Sequence, residues 1–383
     1  MTETVQDMTG TVEAMEPHLF APLALRGRPL LNRIVVSPMC QYSAREGNAT
    51  DWHMQHLGSL AVSGAALLMI EATAVEPAGR ISPADLGLYN DENEAALGRV
   101  FAACRDVGQS LIGIQIAHAG RKASTHVPWE GGGPLRPDEG AWQTVAPSAI
   151  PFAEGWPMPV ALDRNGLARI RDAFADAAKR AARLGLDVLE MHAAHGYLLH
   201  EFLSPLSNQR TDEYGGNREG RMRFPLEVAA ALRNVWPRDR PLVARITGTD
   251  WRAEGLQVED ATAFAHQLKA LGFDYVSVSS GGIVPKVRIP VGPGYQVPFA
   301  ARIRAEAGIK TCAVGLIVEP NLADAIVRNG EADLVALARA FLDDPRWVWH
   351  AAEALGASIA VPPQYAAATS KLWPGAALAH KLD

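Results

Sequence analysis

Two histidines three residues apart, His192 and His195, end the apolar run Leu186-Asp187-Val188-Leu189-Glu190-Met191 and are followed at once by Gly196-Tyr197. A neutral imidazole offers one N–H donor and one acceptor, so a convergent pair can grip an oxygen on which negative charge develops. A nearby phenol can supply a proton. On a regular strand, residues three apart point to opposite faces. Convergence therefore requires the backbone to leave strand geometry between them, which predicts the pair at the C-terminal mouth of a strand buried on both faces.

Taken alone, His-x-x-His is equally compatible with a structural role or a metal site. A zinc hydrolase would need a third ligand and an acid at the mouth. Asp187 and Glu190 lie inside the run, and Asp250 lies beyond a later strand.

The elements that must position these groups repeat along the chain. Apolar runs at 34–37, 66–71, 111–117, 187–191, 242–246, 275–279, 311–314 and 334–338 each precede a segment with helical periodicity. Asp51, Asp91 and Glu259 or Asp260 are expected helix caps, and Gly272 a helix stop. Eight β-then-α units close into a parallel barrel, so the expected fold is α/β: a (β/α)8 TIM barrel, a single domain with long βα-loop insertions. The stretches 122–159 and 281–298 are Gly/Pro-rich, follow strands and predict a rim over the catalytic face.

Composition narrows the function. The 383 residues carry 42 acidic and 36 basic side chains, a net charge of −6, with no basic block, which argues against nucleic acid or an anionic membrane surface as partner. The longest apolar run, 61–70, is far short of the roughly 20 residues a spanning helix needs. Three widely spaced cysteines, Cys40, Cys104 and Cys312, fit a reducing, cytoplasmic compartment. The expected partner is a small molecule. Residues 1–17, polar and acidic, are expected to form a flexible tail, 18–363 the barrel, and 364–383 a C-terminal extension suited to a subunit contact.

The residues at the strand ends form one set: Ser37-Pro38-Met39-Cys40-Gln41-Tyr42, Ala72-Thr73, Gln115, then His192, His195 and Tyr197, Arg245, Ser280-Gly281-Gly282, Gly315 and Arg339. In this order they resemble the old yellow enzyme family, flavin-dependent ene-reductases on the same barrel, and Cys40 with Tyr42 is similar to its YqjM and xenobiotic reductase A-like subgroup. The likeness spans residues 19–363.

The resemblance implies a tightly held FMN and NADPH or NADH as hydride donor. Ser37, Pro38, Met39 and Cys40 would lie along the flavin ring, with Ala72 and Gln115 at its edge. Arg245 would sit near N1 and the C2 carbonyl, and Gly315, Ala338 and Arg339 would hold the phosphate. His192 and His195 would polarise a substrate carbonyl, Tyr197 would protonate the α-carbon, Tyr42 would contact substrate, and Cys40 would tune the flavin. It also implies an enone-type substrate and a homo-oligomer, dimer or tetramer. Other readings are a flavin-dependent dehydrogenase or nitro-compound reductase on the same barrel, a metal-dependent hydrolase, and a cofactor-free binding protein.

Two departures from the family pattern stand out. Gln364-Tyr365 is followed by Ala366-Ala367-Ala368 where relatives carry a residue that reaches a neighbouring subunit, a place Trp373 could take. The insertion with Trp129, Trp142 and Trp156 is the second.

Overall fold

A computed structural model describes residues 16–376. Strands β1 (Ile34–Val36), β2 (Leu67–Ala74), β3 (Leu111–Ala117), β4 (Val188–Ala193), β5 (Leu242–Thr247), β6 (Tyr275–Ser279), β7 (Lys310–Ala313) and β8 (Leu334–Leu337) form a closed barrel. All pairings in it are parallel, each strand bonds the next in sequence, and β8 returns to β1 with Val335 opposite Ile34. The crossovers carry α1 (Asp51–Ala61), α2 (Asp91–Val107), α3 (Arg164–Arg183), α4 (Arg218–Val235), α5 (Val258–Ala270), α6 (Val297–Ala307) and α7 (Pro320–Arg328), with α8 (Trp347–Leu355) after the last strand. The expected (β/α)8 barrel is borne out.

Strand ends differ from the sequence reading for a physical reason. Barrel strands are buried on both faces, so no alternation marks where they stop. β2 runs on to Ala74 with a register shift between Ile70 and Ala72, which makes Glu71 the extra residue of a bulge. β4 runs through Ala193, so His192 is its penultimate residue.

The helix starts need a similar correction, because the cap position lies ahead of the acidic residue, at Thr50, Asn90 and Gln257. Asn90 Oδ1 accepts the Asn93 N–H at 2.7 Å, and the Gln257 N–H donates to Asp260 at 3.0 Å. At α1 the Thr50 N–H donates to His53 Nδ1 at 3.0 Å. Asp51 and Asp91 instead occupy the first turn, where they complement the helix dipole. Gly272, with φ +87°, ends α5 as expected.

Two cores hold the barrel. The larger lies between strands and helices and includes Ile114, Phe174, Leu189, Phe224 and Phe264, all buried. The smaller fills the barrel floor with Val35, Leu67, Val188, Val243 and Leu334, and Leu25 and Leu30 from the hairpin Leu23–Leu25 and Arg28–Leu30 plug it. Each such side chain contributes about 1.5–3 kcal/mol of burial. The bottom is thus rigid packing and the polar groups are left to the C-terminal mouth.

The expected tail lies, up to residue 15, outside the described residues, as does the extension beyond residue 376. The described part of the extension packs Tyr365 against Trp349 at 5.6 Å, with the Arg346 guanidinium 4.4 Å from the tyrosine ring centre. Among the described residues no helix is long and apolar enough to cross a membrane.

Candidate active site

Directly after β4 the backbone turns left-handed, with φ +61° at His195 and +77° at Gly196. This is the departure from strand geometry that convergence requires. The two imidazoles meet edge to face, ring centres 5.2 Å apart, and His192 Nε2 lies 3.4 Å from His195 Nδ1. His192 Nδ1 accepts the Ala194 N–H at 3.2 Å, so in the neutral ring the proton sits on Nε2 and points at its partner. Burial first, then the Arg245 charge, holds both histidines well below the ordinary histidine range. The pair is neutral at physiological pH.

The turn is braced from two sides. The Gly196 N–H donates to His200 Nδ1 at 2.8 Å, and His200 Nε2 lies 2.9 Å from Asp250 Oδ1. Asp250 in turn accepts from Ser204 Oγ at 2.6 Å and the Leu256 N–H at 2.7 Å. Its carboxylate is therefore committed to loop bracing, and among the described residues no three His, Cys, Asp or Glu side chains group to hold a metal. From the other side Lys122 Nζ donates to the carbonyls of His195 at 2.8 Å and Gly282 at 3.1 Å. Position 196 must be glycine, because a Cβ there would lie 2.1 Å from the Gly282 carbonyl oxygen.

Tyr197 packs its ring 5.0 Å from that of His192, and Lys122 Nζ lies 5.1 Å from its ring centre. Burial, then the neighbouring Cys40 and Tyr42, raises its phenol well above the ordinary range. Burial and then Asp85 and Glu71 do the same to the Cys40 thiol. A thiol so held is protonated and a poor nucleophile. Tyr42, with φ +48°, sets its ring 5.9 Å from Trp129, and Phe152 lies 4.9 Å from Lys122 Nζ. The long insertion thus reaches the mouth from above, as a rim.

On the other side of the mouth a cavity of about 400 Å³ is lined by Ser37, Arg245, Ser279, Gln296, Gly315, Ala338 and Arg339. Arg245 Nη1 donates to Ser37 Oγ at 2.9 Å, while its buried Nε has no partner. A buried guanidinium with an unspent donor is set for an anionic or strongly accepting ligand. Gly315 and Leu316 both have positive φ, +113° and +49°, and a Cβ at 315 would stand 2.7 Å from Gln296 Nε2. Only a bare backbone passes there, which lets amide groups approach a ligand. Gln115, paired in register with Ala72, donates from Nε2 to Glu190 Oε2 at 2.6 Å. This lining fits FMN: Arg339 and the bare backbone at Gly315 would suit its phosphate, and the unspent Nε of Arg245 the electron-rich edge of its ring.

Fold and site define a flavin oxidoreductase on a (β/α)8 barrel, served by FMN and NAD(P)H. Residues 18–357 match the NADH:flavin oxidoreductase / NADH oxidase family, and the chain belongs to it. It is 46% identical over 353 residues to an NADPH dehydrogenase of Geobacillus thermodenitrificans (strain NG80-2), a match covering 92% of this chain and 98% of that protein. The NADPH dehydrogenase of Bacillus subtilis (strain 168) is 43% identical, with 92% and 99% covered. Among solved structures, morphinone reductase superposes with a TM-score of 0.74 at 28% identity, covering 90% of this chain and 91% of that one. The likeness to the old yellow enzymes is borne out.

The sequence-derived residues fall into two adjoining groups. Ser37, Arg245, Gly315, Ala338 and Arg339 line the cavity, and Cys40, Tyr42, His192, His195 and Tyr197 gather beside it. Sequence reasoning missed Lys122, His200, Asp250 as a brace, Ser279 and Gln296. Glu201, on the short helix Leu198–Leu203, is buried and accepts the Arg121 N–H at 2.8 Å. Lys122 and Gln296 do lie in the two Gly/Pro-rich segments that broke the barrel rhythm, the one signal that could have found them.

Proposed function

We propose that the protein reduces the activated C=C bond of α,β-unsaturated carbonyl compounds. FMN, when bound, would supply the hydride chemistry, relaying a hydride from NAD(P)H through N5 to the β-carbon. The His192 and His195 donors receive the substrate oxygen, and the negative charge that grows there as the β-carbon is reduced strengthens both hydrogen bonds. Differential binding of this kind lowers the barrel's barrier to reduction without tightening the ground state equally.

Tyr197 protonates the α-carbon. Its phenol stays protonated at neutral pH and gives up its proton only to a base as strong as an enolate. Arg245 would hold the N1 and C2-carbonyl edge of the flavin, with Gln115 and Ala72 at the ring edge. Ser37, Pro38 and Met39 would lie along the ring, and Gly315, Ala338 and Arg339 would hold the phosphate. Cys40 tunes the flavin as a neutral thiol, and Tyr42 orients substrate beneath Trp129.

The observation that carries this reading is the 3.4 Å approach of His192 Nε2 and His195 Nδ1 beside the raised phenol of Tyr197. Stopped-flow spectroscopy tests it. NADPH should bleach the flavin band near 450 nm and 2-cyclohexenone should restore it anaerobically with release of cyclohexanone. Reoxidation by nitro compounds alone, with every enone inert, would instead make this a nitro-compound reductase.

A further inference from the structure

His195 Nε2 lies 2.7 Å from Ser279 Oγ, at the end of β6, and Ser279 Oγ lies 3.4 Å from Gln296 Oε1. Ser279 and Gln296 are buried, and the His195 ring is half-buried, open to water on the side of the mouth. Gln296 Oε1 also accepts from Ser280 Oγ at 2.6 Å, so it is fixed as an acceptor.

The direction of every hydrogen bond in this chain follows. His192 carries its proton on Nε2 because its Nδ1 accepts the Ala194 N–H. Donation from His192 Nε2 to His195 Nδ1 requires that Nδ1 be bare, which leaves the His195 proton on Nε2. That N–H then donates to Ser279 Oγ, whose own hydrogen goes to Gln296. A bare Nδ1 would repel a carbonyl oxygen. For both rings to donate to one oxygen, His195 must carry its proton on Nδ1 and its Nε2 must accept.

We propose that Ser279 is a positioning residue that lets His195 exchange tautomers when the oxygen of a carbonyl or phenolate ligand enters. Its hydroxyl rotates about Cβ–Oγ from Gln296 to His195 Nε2, keeping its own proton, and turns from acceptor to donor. The exchange is charge-neutral: solvent water adds a proton to Nδ1 and removes the one on Nε2 before the ligand closes the mouth. Gln296 keeps the Ser280 hydroxyl in either state. This inference rests on the ligand-gripping role given above to the histidine pair.

The test uses the FMN-loaded protein labelled with ¹⁵N in its histidine side chains, with the His195 signals assigned by their loss in His195→Asn. The expected result is a protonated Nε2 in the free enzyme and a protonated Nδ1 with 4-hydroxybenzaldehyde bound. Ser279→Ala should weaken that phenol about 3- to 10-fold, the worth of one hydrogen bond, and Ser279→Thr should restore it. A His195 tautomer that is the same with and without the phenol overturns the inference while leaving the histidine pair as ligand donors. Unchanged affinity in Ser279→Ala also overturns it. Failure of the unmodified protein to bind any phenol overturns both this inference and the function on which it rests.

Discussion

His192 Nε2 lies 3.4 Å from His195 Nδ1 although a continuous strand would have turned the two side chains apart. A left-handed residue at His195, held by Lys122 on its carbonyl and His200 behind Gly196, makes the approach. The backbone strain is carried by the braces so that the rings can face one point.

Replacing both rings should therefore cost ligand binding and not cofactor binding. His192→Ala with His195→Ala is expected to weaken phenol binding about 100-fold or more, since a hydrogen bond to a charged acceptor is worth about 1.5–3 kcal/mol. Titration followed through the flavin absorbance reads the loss, and the FMN content of the variant should equal that of the parent. Loss of FMN instead would assign the pair to the cofactor.

Tyr197→Phe removes the proton donor and little else, because the ring that packs on His192 is retained. Reoxidation of the reduced enzyme by an enone should slow about 10²- to 10⁴-fold, with reduction by NADPH unchanged. Equal slowing of the two half-reactions would remove the tyrosine from the proton path.

The cavity side has its own test. Gly315→Val adds a branched side chain where even a Cβ meets Gln296 Nε2 at 2.7 Å, and Arg339→Ala removes a cation beside it. Both should purify with less FMN. Arg339→Ala should raise the FMN dissociation constant about 10- to 100-fold, measured by fluorescence of the released flavin.

Glu71 predicts a pH dependence of stability. Burial pushes its carboxyl from 4.5 up to about 8, so between those values the folded protein holds a proton that the unfolded chain releases. The stability this contributes is complete below the lower value and is lost as pH rises to the upper one. Glu71→Gln cannot ionise, so denaturant unfolding at saturating FMN should favour the variant increasingly from pH 5 to pH 9. Parallel curves for the two proteins would show that Glu71 is ionised in the fold.

The barrel and most of the mouth were legible in the chain because both rest on local signals. Apolar runs before helical periods mark the strands, and the residues that end them share one face of any parallel barrel. What was not legible joins residues far apart in sequence. Lys122 reaches the His195 carbonyl across 73 positions and Ser279 reaches the His195 ring across 84, and no periodicity records such contacts. Glu71 was hidden for another reason: a bulge turns it out of register, and bulges in strands buried on both faces leave no trace in the apolar pattern.

The central claim is that two neutral imidazoles hold the acceptor by its oxygen. A crystal structure of the FMN-loaded protein with 4-hydroxybenzaldehyde tests it most directly. The account predicts the phenolic oxygen within about 3 Å of both His192 Nε2 and His195 Nδ1, with the ligand ring lying over the flavin. A ligand held by Tyr42 and Trp129 at the rim, with the histidines still facing only each other, would contradict it.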